Sequence, residues 1–316
     1  MKRFVTGAIL LVALLGAFLL REVNLYLFDI CVGVFTLFAA LEISKLLTRD
    51  KKHNLVLPML IYTSIAYLFL LIAINNSIGL GIIFIGLVLA LLVVFIAVFA
   101  YNYFDKDRTK VKIEYDGLKL SIKEYSFKSA ISTTFNCIYP TLLLLLFIVI
   151  NHFDSFTNDL SKLNTLTNVN LGLIILLTTI ITSVFSDVFA YFVGGLIGGK
   201  KLCPNISANK TISGAIGAVF GSVLAGVALF IILSTNNYIA NAFESINLTL
   251  LGFIFISIFA SIFTQLGDLF ESILKRKAKV KDSGNVLPGH GGLMDRVDGL
   301  SFNTLFIFIV FLVLVI

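Results

Sequence analysis

The chain has no tryptophan, only three cysteines, three histidines and four prolines among 316 residues, and charged side chains make up just 13% of it. Each shortage removes a class of explanation. Cys31, Cys137 and Cys203 stand alone, mostly within or beside apolar runs, so neither a disulfide framework nor a thiolate zinc site is indicated. His53, His152 and His290 are too far apart in sequence to suggest a local metal motif. Charge is also too sparse to cover a water-facing surface. At 58% apolar residues and a mean hydropathy of +1.01, the composition is that of an integral membrane protein. No repeat, low-complexity linker or soluble stretch long enough for its own core interrupts it. Residues 1–316 therefore read as one polytopic membrane domain.

What is abundant is apolar sequence of membrane-spanning length. Runs at about 4–20, 24–44, 54–74, 78–101, 131–150, 170–198, 211–234, 248–269 and 299–316 predict an all-α protein of about nine transmembrane helices. Met1-Lys2-Arg3 before an apolar run has the look of a signal peptide. No small-x-small cleavage site precedes Arg21, so the first span is expected to be retained. Lysine and arginine concentrate at the N-terminus, at 45–53, 102–130, 199–210 and 270–298, whereas 75–77, 151–169 and 235–247 carry almost none. By the positive-inside rule the N-terminus and every basic loop face the cytoplasm, and the C-terminus lies outside. The net charge of +6 is thus explained by topology and anionic lipid rather than by nucleic acid. In the loop 110–123, apolar and polar residues alternate around Asp116-Gly117, which predicts a small cytoplasmic β-hairpin. The thirty phenylalanines read as lipid-facing or core side chains and coding bias, not as a ligand cage.

Chemistry-bearing residues gather near the C-terminus. Ser272 to Asp298, S-I-L-K-R-K-A-K-V-K-D-S-G-N-V-L-P-G-H-G-G-L-M-D-R-V-D, is too polar to span a bilayer although greasy segments flank it. It combines cations for phosphate oxygens, carboxylates for Mg²⁺ and glycines that let backbone amides approach a ligand. The eighth span runs into this loop with Gln265, Asp268, Ser272 and Lys275 recurring every three or four residues, so that one helix face presents an amide, a carboxylate, a hydroxyl and cations. Mg²⁺ favours one or two carboxylates plus substrate phosphates, and Asp268 and Asp295 are the first choices, with Asp187 and Asp298 as further ligands or partners of the ligands. Lys275, Arg276 and Lys281 would neutralise a triphosphate and its leaving pyrophosphate. Pro288 to Gly292 has the flexibility for close approach to a nucleotide, and His290 serves as a base or a hydrogen-bond donor.

Asp187 lies within the sixth apolar segment, where an ionised carboxylate at the bilayer centre costs about 2.5–3.5 kcal/mol on insertion scales. It is expected to face a polar cavity. Tyr191, Gly194, Gly195 and Gly198 follow at helical spacing and place it on a narrow glycine stripe; the bland alternative is a packing helix with Asp187 bonded to its neighbour. Gly194-x4-Gly199-Lys200 imitates a P-loop but fails, because Lys201 stands where a Ser or Thr should hold Mg²⁺ and the context is a membrane helix.

From Ser272 to Asp298 the loop resembles, position for position, the signature of phosphatidate cytidylyltransferase (CDP-diacylglycerol synthase): S-x-hydrophobic-K-R, four residues, K-D, then P-x-H-G-G-x-x-D-R-x-D. Asp187-x-x-Ala190-Tyr191-x-x-Gly194 and Pro204-x-Ile206-Ser207-x-x-Lys210-Thr211-x-x-Gly214 are similar to two further elements of that family. Ala208 replaces its usual Pro, Asn209 stands where Lys or Asn is usual, and Ser213 replaces a Glu. The resemblance covers about 130–316, where it implies the catalytic helices and loops of 131–316; residues 1–130 match only in character, as N-terminal helices.

The resemblance implies transfer of a cytidylyl group from CTP to phosphatidic acid in the inner leaflet of a bacterial plasma membrane. Asp268 and Asp295 would hold the divalent cation. Ser272, Lys275, Arg276, Lys281, Asp282, His290 and Arg296 would complete the catalytic loop, and Asp187, Tyr191, Ser207, Lys210, Thr211, Gly291, Gly292 and Asp298 would bind substrate. K⁺ as a second cation and a homodimer are compatible with the same resemblance. Two competing readings are a CTP-dependent polyprenol kinase and a secondary transporter, against which the polar loop argues because transport sites sit near the midplane.

Overall fold

A computed structural model describes all residues except 1, 48–55, 105–112, 116–117, 158–168, 285–290 and 316. Helices dominate, in the order α1 (Lys2–Val23), α2 (Leu25–Leu47), α3 (Val56–Asn75), α4 (Leu80–Phe104), α5 (Ile122–Asn136), α6 (Leu143–Asn151), α7 (Phe153–Thr157), α8 (Leu171–Ile197), α9 (Ile212–Ser234), α10 (Asn237–Ser245), α11 (Leu250–Lys277) and α12 (Asp298–Val315). Two antiparallel pairs interrupt them: β1 (Ile113–Tyr115) with β2 (Leu118–Leu120), and β3 (Lys201–Cys203) with β4 (Ser207–Thr211). The protein is an all-α membrane protein, with eight segments among the described residues long and apolar enough to cross a bilayer. Helix α1 carries the remaining predicted run.

The first hairpin forms where Asp116-Gly117 predicts it, in the register Ile113↔Leu120 and Tyr115↔Leu118, although that dipeptide itself lies outside the described residues. Ser121 and Glu124 then start α5 with a reciprocal capping box. The predicted span at 131–150 is a composite. Pro140, which has no N–H to give a helix, sits in a π-helical turn at Cys137–Leu142 between α5 and α6. Three elements were not expected: α7, the β3–β4 hairpin and α10, a helix of 9 residues capped by Asn236.

The residues compact into two units, Cys31–Leu145 and Met1–Ile30 with Leu146–Ile316. In the first, Phe95 meets Phe127 edge-on at 5.9 Å, and Asn102 on α4 donates to Ser129 on α5 at 3.2 Å. In the second, α8 packs along α9, and α11 along α12. Small and polar residues let these backbones approach, the usual solution where lipid supplies no hydrophobic drive. Ser186 and Ser261 hydroxyls pair at 2.8 Å, and Asn303 donates to Thr179 O at 2.9 Å and to Thr182 Oγ1 at 3.1 Å.

One end of α8 carries a buried polar cluster. Asn170 caps the helix and accepts from Arg21 Nη2 at 2.9 Å, while Arg21 Nε donates to Asn151 Oδ1 at 2.7 Å. Asp29 is fully buried and takes Asn151 Nδ2 at 2.9 Å on one oxygen and His152 Nε2 at 2.7 Å on the other. Asp154 accepts from the N–H groups of Leu171 and Gly172, although burial still pushes its carboxyl above the usual range.

Candidate active site

The other end of the second unit is built by two close helix approaches and a hairpin. Helix α11 crosses the start of α12 at Gly267 and Gly299. A Cβ on Gly267 would stand 2.4 Å from Asp298 O, and one on Gly299 2.6 Å from Asp268 Oδ1, so only glycine lets these turns touch. That contact lays the Asp298 carboxyl against Asp268 on one side and Glu271 on the other. Asp187 on α8 interacts with Asp268, and Glu271 with Asp295, which gives a row of five neighbouring carboxylates: Asp187, Asp268, Asp298, Glu271 and Asp295.

Two lysines enter this row. Lys210, near the end of β4, reaches Asp268 Oδ2 at 2.8 Å. Its strand is fixed by Thr211, which caps α9 through Gly214 N–H, and by Ser213, whose hydroxyl donates to Gly198 O and meets Thr211 Oγ1 at 3.1 Å. Lys275, two turns beyond Asp268 on α11, lies 2.5 Å from Asp295 Oδ1 and 3.6 Å from Glu271 Oε1. Asp295 Oδ2 also accepts from Gly292 N at 2.8 Å and Ser283 N at 2.9 Å. Burial raises the Asp295 carboxyl, but the Lys275 hydrogen bond and these amides outweigh it and hold the group below the usual carboxylate range. Gly291, at φ +82°, completes the turn; a Cβ there would stand 2.8 Å from Asp295 Oδ2.

Five carboxylates facing two lysines leave the row short of positive charge, and its donors are all oxygen, which suits a hard cation. Among the described residues no three carboxylate, histidine or cysteine side chains converge into a ready-made cage. That fits Mg²⁺, which takes one or two carboxylates and completes its octahedron with water and phosphate oxygens.

A model of the cytidylyltransferase family matches residues 1–314 of this chain. The chain belongs to the cytidylyltransferase family. It is 43% identical over 119 residues to the phosphatidate cytidylyltransferase of Bacillus subtilis (strain 168), a stretch that is 38% of this chain and 40% of that protein. Proteins of the same name from Staphylococcus haemolyticus (strain JCSC1435) and Staphylococcus aureus (strain COL) are 44% and 43% identical over 113 residues, 36% of this chain and 39% of each relative. The match thus spans about two fifths of the length of these relatives.

In this cytidylyltransferase chain the residues singled out from the sequence fall into three groups. Asp187, Lys210, Asp268, Lys275, Asp295 and Asp298 are brought together, with Gly291 and Gly292 serving Asp295 directly. Arg276, Lys281, Asp282, Arg296 and Tyr191 are exposed around them, and Ser272 and Ser207 are half-buried. Arg276 Nε donates to Ile206 O at 3.2 Å and so ties α11 to the β3–β4 turn. His290, with Pro288 and Gly289, lies outside the described residues. The predicted glycine stripe on α8 does not act as one surface. Gly194 packs on Gly214 of α9, Gly195 meets nothing, and Gly198 ends the helix at φ +62°, because the chain turns into β3 there. Glu271 was missed, although its place three residues after Asp268 and four before Lys275 puts it on the same helix face.

Proposed function

We propose that this chain is a phosphatidate cytidylyltransferase: it joins phosphatidic acid to the cytidylyl group of CTP, giving CDP-diacylglycerol and pyrophosphate. The observation that carries the reading is the row of five carboxylates, partnered by Lys210 and Lys275, at the basic end of α11. Family membership and the names of the relatives support it. In the bacterial plasma membrane that end meets the inner leaflet, where a lipid phosphate is already at hand.

The reaction balances without a strong base. An ionised phosphate oxygen of phosphatidic acid attacks the α-phosphorus of CTP, the bond from that phosphorus to the bridging oxygen breaks, and pyrophosphate leaves with its electrons. Rate enhancement then comes from positioning and from neutralising charge. Asp268 and Asp295 would hold Mg²⁺, which when bound draws charge from the phosphate oxygens. Lys210 and Lys275 already point their ammonium groups at those two carboxylates and stand where a triphosphate would meet them. Arg276 and Lys281 add exposed cations for the leaving pyrophosphate. A monovalent cation such as K⁺ and a homodimer belong to the same reading; a K⁺ titration and the mass of the detergent-solubilised particle test them.

The first experiment supplies CTP, phosphatidic acid and Mg²⁺ to purified protein in micelles and follows pyrophosphate and lipid product, with Asp295→Asn beside wild type. CDP-lipid from wild type alone is expected. Formation of CDP on added polyprenol would replace the reading with a kinase, and no nucleotide consumption under either condition would refute both.

A further inference from the structure

Glu271 is used by none of the steps above, yet it is the most conspicuous charge in the site. Its residue is 0% exposed, and among the described residues no N–H or hydroxyl donates to either carboxylate oxygen. Buried carboxylates are ordinarily held by donors or by ions. The nearest cation, Lys275 Nζ, is 3.6 Å away and engaged with Asp295 at 2.5 Å. On its other flank Glu271 meets the carboxyl of Asp298. Lys275 is itself only 12% exposed, so if it lost Asp295 its buried ammonium would need Glu271 as its partner.

We infer that Glu271 is a positioning residue that receives the Lys275 ammonium when the Asp295 carboxylate is taken up by a divalent cation. The inference rests on the reading of Asp295 as a cation ligand. Geometry favours the transfer. Glu271 precedes Lys275 by four residues, the better orientation for a helical Glu–Lys pair, and the ammonium sits on a flexible stem with three donors. A shift on the order of 1 Å brings it within hydrogen-bond range of Oε1. Lys275 thus occupies Asp295 until the cation arrives and then retreats to a carboxylate whose other close neighbour is the Asp298 carboxyl. Glu271 thereby removes an obstacle to cation binding without touching the cation.

The test measures divalent-cation binding with no nucleotide or lipid present, so that it is separate from turnover. Mn²⁺ is titrated into full-length protein in micelles and followed by electron paramagnetic resonance of the free ion, with Mg²⁺ as competitor. Glu271→Gln should weaken binding by about tenfold or more, the scale seen when a partner of a metal ligand is lost. Lys275→Met should tighten it, and in the Lys275→Met background Glu271→Gln should have no further effect. Glu271→Asp, which keeps the charge but shortens the reach, should fall between and carries the same comparison if the Gln variant does not fold. Equal weakening with and without Lys275 would make Glu271 a cation ligand and overturn the inference. So would unchanged binding in Glu271→Gln, or unchanged binding in Asp295→Asn. If the expected Mn²⁺ pattern appears but CTP and phosphatidic acid give no product, the proposed reaction fails while this inference stands.

Discussion

Two polar clusters lie along α8, one at its Asn170 cap and one about 25 Å further along its axis at Asp187, and they handle buried charge in opposite ways. Around Arg21 the amides of Asn151 and Asn170 separate the charged groups, and both oxygens of Asp29 are matched by donors. Around Asp268 carboxyl groups stand next to carboxyl groups, and among the described residues no N–H or hydroxyl donates to Glu271. The first arrangement is complete in the folded chain and ties α1, α2, α6 and α8 together. The second is left with acidic groups crowded against one another and only two lysines to match them, and this is the condition expected where an external cation and phosphates complete a site.

Substitutions that exchange these characters should separate function from stability. The largest effect is expected from Asp268→Asn. Turnover should fall on the order of 10²–10³-fold, while the melting temperature in micelles stays close to wild type because one like charge has been removed from the row. Arg21→Ala should do the reverse. Stripping one partner from a buried, hydrogen-bonded cluster costs about 3 kcal/mol, visible as a lower denaturation midpoint, whereas the specific activity of the folded fraction is retained. Gly299→Ala should touch both properties more gently. Its Cβ must displace Asp268 Oδ1 at 2.6 Å and Thr264 O at 2.8 Å; the expected loss is about tenfold to a hundredfold in turnover, with about 1–3 kcal/mol of stability.

The smallest expected effect concerns pH. Asp295 has its folded value held below the ordinary 3.8, so it contributes stability that is fully present above that ordinary value and is lost as pH falls through the lower, folded one. Denaturation of wild type and Asp295→Asn carried into the acid range checks this. Only wild type should show the extra acid-side loss, and coincident curves would contradict the assignment.

Much of this fold was legible because a bilayer imposes length and hydropathy on each span, and the Asp116-Gly117 turn announced the first hairpin. The break at Cys137–Leu142 was also signalled, by Pro140 inside an apolar run, but total hydropathy conceals it. The β3–β4 hairpin was hidden for a different reason. Lys201–Thr211 contains Pro204 and little alternation, and its pairing is held by contacts from outside, Ser213 on Gly198 O and Arg276 on Ile206 O. In the site, residue types and spacing disclosed Asp268, Lys275, Asp295 and Asp298. What they could not disclose is pairing across long sequence separations: that Lys210 would neutralise Asp268, or that Gly267 and Gly299 would press Asp298 between two other carboxylates.

Helix α11 has 28 residues and is therefore about 42 Å long, against about 30 Å for a bilayer's hydrocarbon core. It must tilt or emerge, and its last turns, from Asp268 to Lys277, are the ones that carry the charges. Membrane thickness therefore enters the chemistry as a variable. A thinner bilayer lowers the headgroup plane along α11 and a thicker one raises it, so on the proposed reading hydrophobic mismatch would help set the height at which a lipid phosphate meets Lys275 and Asp268.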